Sequence, residues 1–258
     1  MAIVNSILTG QLSPRGRHDE QAALCVLLRV ENLTKRYGRE SAVADVTFSL
    51  SAGEVVGIVG PNGAGKTTLL ETLAGLLAAD SGTVFWRGEE LPAARRKEAA
   101  FYLPDGVRAY QDRFAIEVTA FFANVYGRTQ AEAASVIASV GLTPVLGKRV
   151  HALSKGYNRR LLLAVGLLTP HDILMMDEPF DGFDLRQTRA IIDVIRQEAA
   201  KERALILAIH QLGDAERVCD RFILLAGGQV RGVGSLGELR EKTGMPRASL
   251  EELFLALT

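Results

Sequence analysis

The 258-residue chain is 48% hydrophobic and 23% charged, the proportions of a globular protein with a sizeable core, which excludes wholesale disorder. Thirty Lys plus Arg balance thirty Asp plus Glu, so no global field draws the chain to nucleic acid or anionic lipid. The longest apolar run falls far short of the roughly 20 residues a membrane span needs, and Cys25 and Cys219 have neither metal-site spacing nor the numbers of a disulfide framework; both are read as reduced thiols of a cytoplasmic protein.

Residues 1 to about 24 begin "MAIVNSILTGQLSPRGRHDE", without the basic n-region and long apolar core of a signal peptide, and read as a mobile extension. From residue 25 to 258 the chain reads as one domain. Its first strands are expected at "VLLRVENL" (26–33) and at "VADVTFSL" (43–50), whose apolar and polar residues alternate; together they predict an antiparallel β layer. "EVVGIV" (54–59) then leads through a Gly-rich turn into the helical segment "KTTLLETLAGLL" (66–77), the opening of an α/β core.

Further strands are expected at "TVFW" (83–86), "AAFYL" (99–103), "DILMM" (172–176), "ALILAI" (204–209) and "RFILLA" (221–226). The stretch from about 110 to 168 has no convincing strand, and "AEAASVIASV" (131–140) sets Ala134, Ile137 and Ala138 at helical spacing. An inserted α-helical subdomain is therefore placed at about 106–168, and a C-terminal helical segment at about 235–258.

"GPNGAGKT" (60–67) fits G-x-x-x-x-G-K-[ST] and lies between a predicted strand and a predicted helix, the context that motif requires. Gly60, Pro61, Asn62, Gly63, Ala64 and Gly65 form the loop whose backbone N–H groups turn inward toward phosphate. Lys66 neutralises the β- and γ-phosphates, the Thr67 hydroxyl ligates Mg²⁺, and Thr68 adds a hydroxyl at the helix start.

"ILMMDEP" (173–179) is an apolar strand ending in two carboxylates. Beside a phosphate cradle, Asp177 is expected in the Mg²⁺ shell and Glu178 is expected to orient or deprotonate an attacking water. His210, just past the buried strand in "LAIHQ" (207–211), is expected to donate a hydrogen bond to the γ-phosphate at the same edge of the sheet. Asp184 in "FDGFDLRQ" (180–187) reads as the N-cap of a helix from 185, with Gln187 in capping-box position.

A second anion site is written into "LSKGYNRR" (153–160), where Ser154 is a plausible N-cap and the helix that follows would point its unpaired N–H groups outward. The strong phosphate motif occurs only once. A chain with one cradle and a separate anion-seeking helix tip raises the question of what that tip closes upon.

Together these residues resemble the ATP-binding cassette family, specifically the separate nucleotide-binding subunits of bacterial transporters, over about residues 26 to 258. "LSKGY" looks like the family signature, "DEPFDGFD" like the segment from the Walker B strand into the D-loop, His210 like the switch histidine, and Tyr37 in "TKRYG" like the aromatic that stacks on adenine. The resemblance implies a P-loop NTPase core of α/β class with an N-terminal antiparallel β layer and an inserted α-helical subdomain. It implies ATP and Mg²⁺ as ligands and an ATPase with Glu178, His210 and Lys66 as its catalytic groups. It also implies a head-to-tail dimer with a second ATP-binding subunit, in which Ser154, Gly156 and Asp184 face the nucleotide and partner. A transmembrane permease would dock near the helical lobe and the loop after residue 104, holding the protein at the inner face of the cell membrane, with no nucleic-acid partner. The signature, the short lobe and the ending "SLEELFLALT" (249–258) look more like exporter-type than importer-type subunits.

Three positions depart from the family pattern. Asp105 stands where a glutamine is usual and is expected to retain metal contact, Gln111 lying too far from the strand end to substitute. Lys155 and Tyr157 replace a frequent Gly and Gln in the signature, and Phe183 replaces a frequent leucine in the D-loop. A soluble cassette ATPase acting on DNA or ribosomes is the alternative; the absence of a heptad run, the single cassette and the neutral charge weigh against it. A non-hydrolysing scaffold is disfavoured by Glu178 and His210, although Asp105 lends it a little support.

Overall fold

The computed structural model describes residues 26–107 and 110–258; the expected N-terminal extension and Cys25 lie outside the described residues. The chain opens with a hairpin of β1 (Val26–Tyr37) and β2 (Glu40–Ser51), turning at Gly38 with φ +61°. Strict alternation fails in both strands, because Val30 and Leu33, and likewise Val43 and Val46, are buried at a spacing of three. Asn32 and Asp45 absorb the extra residue in the left-handed region (φ +50° and +55°), a conformation those side chains tolerate better than most.

β3 (Val55–Val59) is buried along its whole length and runs through residues 60–65 into α1 (Lys66–Leu73). The helix is shorter than its apolar sequence suggested, because Gly75 takes φ +77° immediately beyond the cap at Ala74. β4 (Ser81–Trp86) pairs antiparallel with β1 and with the short β5 (Glu89–Glu90); α2 (Arg96–Ala99) then leads into β6 (Ala100–Leu103).

Between β6 and β7 (Ile173–Asp177) come α3 (Ala115–Val125), α4 (Gln130–Ser139) and α5 (Lys155–Leu168). Among the described residues the only β pairing of this stretch is an isolated bridge between Phe114 and Arg149. In α4 the buried face differs from the one read in the sequence. Ile137 is buried, but Ala134 and Ala138 are exposed, and Val136 and Val140 are the residues that join Ile137 in the core. Larger side chains won the inward positions because they remove more apolar surface from water.

The rest comprises α6 (Leu185–Ala199), β8 (Ala204–Ile209), α7 (Leu212–Val218), β9 (Arg221–Ala226), β10 (Gln229–Gly234), α8 (Leu236–Thr243) and α9 (Leu250–Leu257). β10 had no sequence signal, since "QVRGVG" carries two glycines and little apolar content; it is recruited by antiparallel pairing to β9. Ser235 and Ser249 each close a capping box, with Glu238 and Glu252, at the starts of α8 and α9. In α9, Leu250 and Leu253 are fully buried while Leu255 is 70% exposed.

All ten strands form one sheet in the order β5-β4-β1-β2-β10-β9-β3-β8-β7-β6. β1, β2, β4 and β5 are antiparallel, β9-β3-β8-β7-β6 are parallel, and a single parallel pair, Gln229 with Ala44, stitches the two regions through β10. The two-residue period of the parallel strands divides the core. Val55, Val59, Leu205, Leu207 and Ile209 face one apolar cluster with α5 and α6, whereas Val56, Ile58, Ile206 and Ala208 face the other with α1 and the hairpin. Register then sets the site: Val59 pairs with Ile209 and Asp177 with Ala208, so residues 60–65, Glu178 and His210 all emerge from the same carboxyl edge.

Candidate active site

The loop after β3 wraps a cavity of about 510 Å³ that Asn62, Gly63, Gly65, Lys66, Thr67 and Thr68 line from one side. Its glycines serve different ends. Gly63 and Gly65 take φ +80° and +103°. Gly60 has no room for a side chain, since a Cβ there would collide with the carbonyl oxygen of Leu225 in β9; at Gly65 it would collide with that of Ala42. Pro61 is exposed and Ala64 is buried beneath the turn; neither lines the cavity. Lys66 is only 6% exposed, and its Nζ donates to the carbonyl oxygens of Gly60 (2.9 Å) and Pro61 (3.2 Å), which pins the ammonium at the mouth of its own loop.

The opposite wall is Asp177 and Glu178 at the end of β7. Thr67 Oγ1 donates to Asp177 Oδ2 at 2.6 Å, joining residues 110 positions apart in the chain. Burial pushes the Asp177 carboxyl above the usual carboxylate range, and the Thr67 hydroxyl partly counters that. A buried carboxylate and an exposed hydroxyl, hard oxygen donors that already face each other at a cavity wall, fit a small divalent cation. Glu178 sits at φ +49°, a rare conformation for a residue with a long side chain, held by its N–H donating to Ala208 O at 2.9 Å. Its Oε1 lies 3.7 Å from Lys66 Nζ, and its Oε2 is 2.5 Å from His210 Nδ1, the geometry of a ring N–H donated to a carboxylate. Strands β7 and β8 thus bring a carboxylate and an imidazole from 32 positions apart into one hydrogen bond.

Ser154 caps α5 and its Oγ accepts from Tyr157 N at 3.4 Å. Neither Ser154 nor Gly156 lines the cavity that holds Lys66. The tip packs instead beside the loop before α6: a Cβ on Gly156 would stand 3.4 Å from Gly182 O and from Phe183, and Lys155 Nζ pairs with Asp181 Oδ2 at 2.6 Å. Arg160 stacks over both Tyr157 and Phe183, at 5.9 and 5.5 Å from their ring centres. Asp184 caps α6 through Gln187 N at 2.8 Å, but Gln187 does not close a capping box. Its Nε2 donates to the other carboxylate oxygen of Asp184 at 2.9 Å.

Two further site residues have neighbours of their own. Tyr37, 54% exposed at the hairpin end, does not line the cavity; Lys35 Nζ lies over its ring at 5.7 Å. Asp105 does line it, and its Oδ1 accepts from Arg159 Nη2 and from Gly106 N, each at 2.7 Å, so one of its two carboxylate oxygens is already engaged with a guanidinium. Sequence reading missed Ala42, Glu71, Tyr102 and Pro104 in the cavity wall. Tyr102 stood within an expected strand two residues before Pro104, which was the available signal. Its hydroxyl is buried without a hydrogen-bond partner among the described residues, and burial beside Asp177 pushes its pKa up.

A family profile described as ABC transporter matches residues 43–181. The linearmycin resistance ATP-binding protein LnrL of Bacillus subtilis is 31% identical over 224 residues, covering 84% of this chain and 72% of LnrL. A fluoroquinolones export ATP-binding protein of Mycobacterium tuberculosis is 33% identical over 234 residues, covering 87% of this chain and 76% of that protein. A solved structure described as the ATP-binding subunit of an ABC transporter superposes with a TM-score of 0.80 at 30% identity, covering 90% of this chain and 99% of its own.

Proposed function

Because the chain belongs to the ATP-binding cassette transporter family, as an ATP-binding and ATP-hydrolysing subunit, we propose that the cavity at the carboxyl edge of the sheet holds Mg·ATP. In this reading the N–H groups of Asn62, Gly63 and residues 65–68 and the Lys66 ammonium hold the phosphates, while Thr67 and Asp177 hold the cation. Mg²⁺ held there would supply charge neutralisation on the phosphates. Tyr37 offers an exposed ring to the adenine.

Glu178 is the group that accepts a proton from the attacking water. Its positive φ turns the carboxylate away from the strand axis, and hydrogen bonding to His210 fixes which oxygen is presented. His210 holds that carboxylate before hydrolysis and is placed to donate to the γ-phosphate when nucleotide fills the cavity. Lys66 Nζ, 3.7 Å from the other oxygen of that carboxylate, borders the same space and would stabilise charge developing on the phosphates.

A second ATP-binding subunit completes the site. One observation carries this: Lys66, Thr67, Asp177 and Glu178 share one cavity, whereas the Ser154 and Gly156 tip of α5 lies outside it. A helix N-terminus that does not reach the chain's own cradle is free to close over the cradle of a facing copy. ATP binding then draws two subunits together, hydrolysis releases them, and a transmembrane permease converts the motion into transport. No helix of the described residues is long and apolar enough to cross a membrane; in this reading the permease is a separate subunit that would keep this one at the cytoplasmic face. Export is the direction we infer, since similar proteins are named for export and for drug resistance.

The test is sedimentation of a Glu178→Gln protein, alone and copurified with its permease. Saturating Mg·ATP is expected to shift it to a dimer that ADP does not support; a monomer under every one of those conditions overturns the reading.

A further inference from the structure

We propose that Asp105 is a positioning residue acting through Arg159, which ties the tip of α5 to the loop after β6, and not a metal ligand. The inference rests on the reading of the cavity as the ATP site, and it assigns to this chain's unusual aspartate a partner of its own.

Arg159 is the hub. Its side chain is only 11% exposed, and its guanidinium reaches three separate segments. Nη2 donates to Asp105 Oδ1 at 2.7 Å and lies 3.5 Å from Asp181 Oδ2; Nη1 donates to the carbonyl oxygen of Asp177 at 3.3 Å. The loop after β6, the carboxyl end of β7 and the turn before α6 therefore meet on one planar fork, the geometry for which arginine is suited and lysine is not. Asp181 extends the chain of charges to Lys155, at 2.6 Å, within the tip itself. A second tie runs parallel, since Asn158 Nδ2 donates to Val107 O at 3.2 Å.

Arg159 lies little more than one helical turn past Ser154, so whatever fixes its guanidinium fixes the direction in which the tip points. Asp105 supplies the shortest of its contacts. A neutral amide at 105 would leave the nearly buried guanidinium facing a carbonyl and a carboxylate at 3.5 Å, a loss of charge-assisted hydrogen bonding at the junction between tip and core. Two donors already occupy Oδ1, which leaves a cation Oδ2 alone, whereas Thr67 and Asp177 form a donor pair without Asp105. Pairing with Arg159 thus accounts for a charged residue at this position with no metal contact.

The experiment measures ATP turnover against Mg²⁺ and against ATP for the parent, Asp105→Asn, Asp105→Glu, Arg159→Gln and the Asp105→Asn/Arg159→Gln double variant, with thermal unfolding of each as a check on folding. Asp105→Asn is expected to lower kcat roughly 3- to 10-fold, with the KM for ATP and the half-saturating Mg²⁺ unchanged within about twofold. Asp105→Glu, which keeps the charge, is expected to recover most of the rate, and Asp105→Asn is expected to add nothing in the Arg159→Gln background. A tenfold or greater rise in half-saturating Mg²⁺, with kcat restored at saturation, makes Asp105 a metal ligand and overturns the proposal. So does an Asp105→Asn penalty of equal size with and without Arg159, or no penalty at all. If Arg159→Gln does not fold, the split between kcat and Mg²⁺ in the two Asp105 variants decides alone. A parent protein without Mg·ATP turnover would instead sink the functional reading itself.

Discussion

His210 Nδ1 and Glu178 Oε2 meet at 2.5 Å across the ends of β8 and β7, while the other oxygen of the same carboxylate faces Lys66 Nζ at 3.7 Å. One carboxylate is thus held from both sides in a strained backbone conformation, with φ +49°. Replacing Glu178 by Gln keeps the shape and removes the basicity. Turnover is expected to fall roughly 10²- to 10⁴-fold, with ATP affinity retained in a fluorescent-nucleotide titration. Parental turnover in the variant would overturn the proposed role of Glu178 as proton acceptor.

Lys66 bears on binding more directly. Its buried ammonium is held by two carbonyl oxygens of its own loop, so it is already in place when the phosphates arrive. Lys66→Ala is expected to weaken ATP binding about 10- to 100-fold, the scale of one or two charge-assisted hydrogen bonds. Isothermal titration with Mg·ATP measures it, and an unchanged Kd would contradict the assignment.

Gly156 separates folding from assembly. A Cβ there would make ordinary contacts at 3.4 Å, and alanine suits a helix better than glycine, so Gly156→Ala should unfold within about 1 kcal/mol of the parent. In the Glu178→Gln background the same change is expected to abolish Mg·ATP-induced dimers seen by sedimentation. Dimers of parental strength would mean that nothing approaches the tip closely.

The far end of α5 carries a stability prediction. Arg203 Nη2 donates to Gly166 O at 2.9 Å and to Thr169 Oγ1 at 2.6 Å, and Arg128 Nε donates to Leu168 O at 2.8 Å, so two arginines satisfy the carbonyls that end this buried helix. Arg203→Ala would strip a charge-assisted bond from Thr169 Oγ1 and from Gly166 O, which keeps only the Thr169 hydroxyl at 2.8 Å and N–H at 3.3 Å, at a cost of roughly 1–3 kcal/mol. Urea unfolding measures the loss; a change below about 0.5 kcal/mol would show that water or Arg128 substitutes.

His171 makes stability depend on pH. Burial pushes its imidazole below the usual histidine range, against a pull upward from its Nε2–H donated to Lys97 O at 3.0 Å. A folded-state pKa below the unfolded value means that this contribution is present above the unfolded pKa and is lost as pH falls toward the folded one. The parent is therefore expected to lose more thermal stability than His171→Gln between pH 7.5 and 5.5. Parallel melting curves for the two proteins over that range would show that the ring does not titrate as its burial requires.

Much of the site was legible because it is local. The loop of residues 60–67, the carboxylates after "ILMM" and the Ser154 and Asp184 caps each follow from residue types within a few positions of one another, and the buried parallel strands announce themselves as short runs of branched and apolar residues. What stayed hidden spans the fold. The β bulges at Asn32 and Asp45, the recruitment of β10, the true buried face of α4 and the two arginine caps on α5 all depend on what packs against the segment, which no window of sequence contains.

Sequence by itself determined the α/β class, the glycine-rich loop with the phosphate-binding pattern and the identity of the acidic and imidazole groups, because short-range backbone geometry and side-chain chemistry suffice for those. Only the tertiary structure decided who meets whom: that Glu178 is clasped by His210, that Thr67 faces Asp177, and that Asp105 answers to Arg159, 54 positions away. The physical reason is strand register. A shift of one residue between β7 and β8 would turn every inward side chain to the other face and part Glu178 from His210 while leaving each motif intact.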